Sequence, residues 1–249
     1  MQLSDLDIKA ALETGSITID NFDESRLQPA SYDVLLGYEF LIFNKHKINS
    51  IDPRKPISEA MEKITLKSID DSFVLHPNEF VLGVTFDRIG VGRAHACQIM
   101  GKSSLARLGL IIHTTAGFID PGNTLNFTLE FVNVNTVPIK LYPMMKIAQI
   151  SFYELKTPAG KIYGDQSLNS KYFGATTVQE SQMYKNFEVV IEKQVELVEQ
   201  EISKKDLKNE ELPKIKAVIE PKPELKSKKV TDSDSKTKSK DKEEQSELF

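Results

Sequence analysis

The chain has 249 residues, a formal net charge of −4 and a single cysteine. That length suits one domain of roughly 150–200 residues with an appendage, large enough to hold a core without a disulfide or metal staple. The acidic balance excludes general nucleic-acid binding but permits a local basic pocket for one anionic ligand, and Cys97, unable to form an intrachain bridge, points to a reducing cytoplasm.

Met1-Gln2-Leu3-Ser4-Asp5 lacks the basic start and apolar run of a signal peptide. No stretch approaches the roughly 18 uninterrupted apolar residues of a membrane helix. Ser4 followed three residues later by Asp7 predicts a capped helix, with Gly15 as its stop. Short β-branched or aromatic runs then predict strands at 72–76, 80–84, 125–132 and 147–152, punctuated by Pro, Gly and Asn. Many short strands with few helices predict a mainly β fold, a sandwich, jelly roll or barrel.

All twelve glycines lie at or before Gly174, and no aromatic residue occurs between Phe187 and Phe249. The folded body is therefore expected over residues 1–187. Ile191, Val195, Val198 and Ile202 recur at helical spacing and predict an amphipathic helix over 188–205. Residues 206–249, rich in Lys, Glu, Ser and Asp, lack the apolar surface to offset ordering entropy and are expected to be disordered.

Three stretches carry chemistry. In Gly101-Lys102-Ser103-Ser104-Leu105-Ala106-Arg107-Leu108-Gly109, two hydroxyls and two cations among small residues suit phosphate oxygens. It is not a P-loop, because Ala96 stands where the first glycine belongs. The plain alternative is a helix start with Ser103 or Ser104 as N-cap and Lys102 and Arg107 solvated. In His113-Thr114-Thr115-Ala116-Gly117-Phe118-Ile119-Asp120-Pro121-Gly122, Asp120 either caps a turn or orients water or a sugar hydroxyl. In Thr128-Leu129-Glu130-Phe131, Glu130 either faces solvent by alternation or is a desolvated carboxylate suited to moving protons.

Together with Leu27-Gln28-Pro29-Ala30-Ser31-Tyr32-Asp33 and Tyr184-Lys185-Asn186-Phe187, these stretches closely resemble the dCTP deaminase family of the dUTPase-like superfamily. Ala116-Gly117-Phe118-Ile119-Asp120 looks most like its bifunctional, dUMP-forming branch, whose monofunctional counterpart carries bulkier basic residues where Gly117 and Phe118 stand. The resemblance implies a dUTPase-like distorted jelly roll or barrel, assembled as homotrimers with active sites between subunits. It implies deamination of dCTP at cytosine C4, coupled to triphosphate cleavage giving dUMP, diphosphate and ammonia. Glu130 would be the proton shuttle, Ser103 and Arg107 would position it and the attacking water, and Asp120 would hold the 3′-hydroxyl and help activate a second water. Substrate contacts would come from Lys102, Ser103, Ser104, Arg107, Asp120, Thr128, Leu129, Glu130, Gln149, Tyr163 and Lys171, the last two on a C-terminal lid. Mg²⁺ would arrive on the triphosphate. Zinc is not expected: the zinc-dependent cytosine deaminases need a Pro-Cys-x-x-Cys pair, and one cysteine with the scattered His46, His76, His95 and His113 does not supply such a set.

Two positions depart from the family pattern. Asn123 stands where an aromatic residue normally packs near the sugar, and Ala175 replaces a lid glutamine, so weaker lid closure is expected. The alternatives are a monofunctional deaminase releasing dUTP, a dUTPase, or a nucleotide-binding regulatory trimer without turnover. The final Gln245-Ser246-Glu247-Leu248-Phe249 resembles peptides that dock in a bacterial sliding clamp; a chance pentapeptide in a charged tail is the other reading.

Overall fold

A computed structural model describes residues 1–188, 190, 195 and 197–199. The chain divides into Met1–Glu196 and Leu197–Phe249, and the second unit contributes only residues 197–199, which are helical. Most of the expected helix at 188–205, all of the tail at 206–249 and the terminal Gln245, Leu248 and Phe249 lie outside the described residues.

Helix α1 (Asp5–Glu13) begins as its sequence predicts. The Ser4 hydroxyl accepts from the Asp7 amide while the Asp7 carboxylate accepts from the Ser4 amide, and Gly15 leaves the helix at φ +70°. Strands follow: β1 (Ile17–Ile19), β2 (Leu27–Gln28), β3 (Ser31–Phe43), β4 (Met61–Thr65), β5 (Phe73–Leu75), β6 (Phe80–Val91) and β7 (His95–Gly101). After the short helix α2 (Ser103–Ala106) come β8 (Leu110–Ile111), β9 (Phe118–Ile119), β10 (Thr124–Asn133), β11 (Ile139–Leu141) and β12 (Lys146–Glu154). The four strands expected from sequence are β5, β6, β10 and β12; β3 and β7 were not expected.

Among the described residues, ten strands form one antiparallel sheet: seven follow the path β8-β10-β6-β3-β12-β7-β9, β1 adds to β6 and β2 and β4 add to β3, while β5 and β11 pair separately. The fold is mainly β, a sheet curled into a half-barrel. Strand β3 makes the bend. Its first residues, Tyr32 to Leu35, pair with β12, and from Leu36 onward it pairs with β6 and β4. Switching partners this way turns one strand through both halves of the sheet. Tyr32, Phe40, Phe131 and Phe152 fill the enclosed core, where Phe40 stacks on Phe73 with centroids 4.5 Å apart.

Strand β10 sets up the site by strict alternation. Leu125, Phe127, Leu129 and Phe131 point into the core, leaving Asn126, Thr128 and Glu130 in one half-exposed row on the other face. Cys97 is buried in β7, and burial pushes its thiol well above the usual range, so it stays protonated and inert at neutral pH. No helix among the described residues is long and apolar enough to cross a membrane.

Candidate active site

The outward row of β10 forms one wall of a cavity of about 890 Å³. Asp120, Thr128, Glu130 and Tyr163 all line it, so four of the residues singled out by sequence come together here. Glu130 is 28% exposed, and its carboxylate is turned toward the segment after β8. There Oε2 accepts from the Thr114 amide at 3.0 Å and from the Thr114 hydroxyl. The Glu130 amide in turn donates to the Ile112 carbonyl at 3.1 Å, which binds the two segments at the same point.

His113 lines the cavity with its Nδ1 3.9 Å from Glu130 Oε2, and neither buried ring nitrogen has a hydrogen-bond partner among the described residues. Gly117 lies under this corner: a Cβ there would stand 2.6 Å from the Ile99 carbonyl and 3.3 Å from His113 Cδ2. The chain must pass close to β7 at that point, and only glycine permits it. Thr114, His113 and Asn126 were not among the expected site residues. Asn126 was findable, since it shares the period-2 row of Thr128 and Glu130.

Asp120 is exposed at the end of β9. The turn after it is pinned to the C-terminal segment, because the Tyr163 amide donates to the Pro121 carbonyl at 2.8 Å. That segment lies along β10. The Asn126 amide donates to the Ala175 carbonyl at 2.8 Å, and the Gln179 amide donates to Thr128 Oγ1 at 3.0 Å. Asn123 is 5% exposed, and its side-chain oxygen accepts from the Gly174 amide at 3.5 Å. Backbone bonds, together with the buried Val178, hold this segment here without the side chain absent at Ala175.

Leu129 is fully buried in the core, so its side chain cannot reach a ligand and only its backbone remains for that role. Lys102, Ser103, Ser104, Arg107, Gln149 and Lys171 do not line the cavity of their own chain. The first five gather elsewhere, at the end of β7 and along β12. Helix α2 has Lys102, not Ser103 or Ser104, as its N-cap residue, and the Lys102 side chain makes no capping hydrogen bond. Lys102 is not a free surface cation either: it is partly buried, and its ammonium lies 2.5 Å from Asp33 Oδ1, an ion pair the sequence did not reveal. Ser103, Ser104 and Arg107 are exposed, and Gln149 Nε2 donates to the Gly101 carbonyl at 3.4 Å. Among the described residues, no three His, Cys, Asp or Glu side chains converge as a metal-holding group.

Residues 2–155 match a family model described as dCTP deaminase-like. The chain is 49% identical over 174 residues to a dCTP deaminase, dUMP-forming, of Tropheryma whipplei strain Twist, covering 70% of this chain and 88% of that protein. It is 45% identical over 188 residues to a dCTP deaminase, dUMP-forming, of Corynebacterium jeikeium, covering 76% of this chain and all (100%) of that one. Against the crystal structure of 2′-deoxycytidine 5′-triphosphate deaminase from Agrobacterium tumefaciens the TM-score is 0.48 at 19% identity, over 61% of this chain and 46% of that one. The chain belongs to the dCTP deaminase-like family.

Proposed function

We propose that this protein converts dCTP and two waters to dUMP, diphosphate and ammonia. The observation that carries the reading is Glu130, a carboxylate held by Thr114 on the wall of a nucleotide-sized cavity that Asp120, Thr128 and Tyr163 also line. The names of the relatives, and Gly117 with Phe118 in place of bulkier basic residues, favour the dUMP-forming branch over release of dUTP.

In this reading Glu130 removes a proton from the water attacking cytosine C4 and returns it to the departing ammonia. Ser103 and Arg107 orient that water and balance the charge developing on the ring. Both are exposed and lie outside the cavity of their own chain, which supports a homotrimer in which one subunit's α2 completes the neighbour's site. Asp120 binds the 3′-hydroxyl and helps activate the second water at the α-phosphorus. Lys102, Ser104, Gln149 and Lys171 contact phosphates, Tyr163 closes over the nucleotide, and Thr128 and the Leu129 backbone border the base. Magnesium travels with the triphosphate as part of the substrate; phosphate oxygens and water satisfy a hard cation without a dedicated carboxylate cage. The reaction belongs to deoxynucleotide supply in the cytoplasm.

Incubating purified protein with dCTP and separating the products tests this directly. dUMP without lasting dUTP is expected, and Glu130→Gln should abolish turnover while leaving nucleotide bound. Accumulating dUTP would mean deamination alone, and unreacted dCTP held in a complex would mean a regulatory binding trimer. A Glu130→Gln protein that still deaminates would overturn the mechanism.

A further inference from the structure

Asp33 is 4% exposed on β3, where an unpaired carboxylate would be costly. Two lysines meet it. Lys102 Nζ lies 2.5 Å from Oδ1 and Lys146 Nζ lies 3.3 Å from Oδ2. They arrive from different strands. Lys102 follows β7, which is separated from β3 by β12, so its side chain reaches back over a distance of about two strand spacings, near 9.5 Å. Lys146 opens β12, where the pairing with β3 shifts register between Lys146 and Ala148. Such an irregularity re-aims a side chain, and here it brings the ammonium to the carboxylate.

Asp33 faces two ammoniums, while Asp23, more than half exposed and held by the Ser25 amide and Arg26, also lies within the field of Lys146. Each ammonium has three donors; Lys102 spends one on Asp33 and Lys146 meets it as an ion pair, so at least two on each lysine remain for another acceptor. Lys102 is 21% exposed and Lys146 is 45% exposed, so both can be reached from solvent. Gln149 stands opposite Asp33 in the ladder, and the exposed Ser103 and Ser104 follow Lys102 directly. Hydroxyls, an amide and two partly exposed ammoniums on adjoining strands suit a polyphosphate chain.

We propose that Asp33 is a positioning residue that holds Lys102 and Lys146 together as a two-lysine anion site, and that Lys146 is a further phosphate-binding residue. This deepens the reading of the chain as a dCTP hydrolase, supplying its phosphate side. Without Asp33 the two ammoniums repel, and the segment that begins at Lys102 and carries Ser103 and Arg107 loses its tether.

The test uses the full chain with inorganic triphosphate as the probe in calorimetry, alongside steady-state kinetics with dCTP. Lys146→Gln should raise the triphosphate Kd and the dCTP KM about tenfold each, the size of one charge-assisted hydrogen bond, with kcat changed less than threefold. Its triphosphate affinity should also depend less steeply on salt than that of the wild type, which loss of packing alone would not produce. Asp33→Asn should raise both constants at least as much. Unchanged triphosphate affinity and salt dependence in Lys146→Gln would overturn the proposal, and that variant decides the matter if Asp33→Asn does not fold. Triphosphate binding through Lys146 without dCTP turnover by the wild type would sink the deaminase reading and leave the anion site standing.

Discussion

Thr114 holds the Glu130 carboxylate twice, through its amide at 3.0 Å and through its hydroxyl, and both bonds fall on the same oxygen, Oε2. The other oxygen is left for water or substrate. A carboxylate fixed at one oxygen keeps a single orientation, which a proton shuttle needs if it is to face the same water in every cycle. Thr114→Val keeps the shape and the amide bond but removes the hydroxyl. Loss of one hydrogen bond to a charged group is worth about 1.5–3 kcal/mol, so kcat for deamination should fall about ten- to a hundredfold. KM for dCTP should move much less, since the Thr114 hydroxyl contacts Glu130 and Thr114 does not line the cavity. Steady-state kinetics on the purified variant check this; a rise in KM at constant kcat would place Thr114 on the substrate instead.

Gly117→Ala should disturb the same corner from below. The added methyl would stand 2.6 Å from the Ile99 carbonyl, a backbone atom that cannot rotate away, so the 113–117 segment must shift. Overpacking of this kind costs about 1–3 kcal/mol and lowers Tm by several degrees in a domain this size. Because His113 and Thr114 move with the segment, kcat should fall further than Thr114→Val alone brings it. Thermal unfolding and turnover measured on one preparation test both halves. A variant with wild-type Tm and kcat would show that the segment relaxes freely.

Sequence revealed some of this arrangement and hid the rest for identifiable reasons. Strand β10 was legible because one face meets the core and the other meets the cavity, so Leu125, Phe127, Leu129 and Phe131 alternate with the site row. Strand β3 was not legible: it passes between partners on both sides and buries Tyr32, Asp33 and Val34 in succession, which erases the period of two. Glu130 and Asp120 were found through their motifs, and the structure puts both on one cavity. The lysines around Asp33 could not be anticipated, because residues 33, 102 and 146 meet only through the β3-β12-β7 order. Nor does spacing tell which wall a residue joins. Ser103 lies nearer in sequence to Asp120 than Tyr163 does, yet Tyr163 shares its cavity and Ser103 does not.

Asp87 should be among the most sensitive positions in the fold. It is fully buried, accepts from Arg26 Nη1 at 2.9 and 2.8 Å, and also accepts from the Leu35 amide at 2.8 Å. The Arg26 guanidinium lies 4.7 Å from the centroid of the Tyr32 ring and donates to the Asn21 carbonyl, so it has nowhere to move when its partner is lost. Removing one member of such a pair strands the other charge and costs about 3–5 kcal/mol. Asp87→Ala should therefore lower the urea midpoint sharply, and Arg26→Met combined with Asp87→Asn should be less damaging than Asp87→Ala. A double variant destabilised by the sum of two independent losses would mean that the pair is not coupled.

His95 should make stability depend on pH below neutrality. Burial holds it below its ordinary value of 6.5, with Glu154 pulling in the other direction, and its Nδ1 is buried without a hydrogen-bond partner among the described residues. The folded protein thus binds this proton less readily than the unfolded chain does. As pH falls through 6.5 toward the lower folded value, the unfolded state takes up the proton first, and stability declines across that window. Above it both states are neutral at this position and His95 contributes no slope. His95→Gln removes the titration while keeping a polar side chain of similar reach. Urea unfolding at neutral pH and at about pH 5 should therefore show a smaller loss of stability on acidification in the variant than in the wild type. The difference between the two proteins isolates His95 from the carboxylates that titrate in both, and equal losses would assign the acid sensitivity to those carboxylates alone.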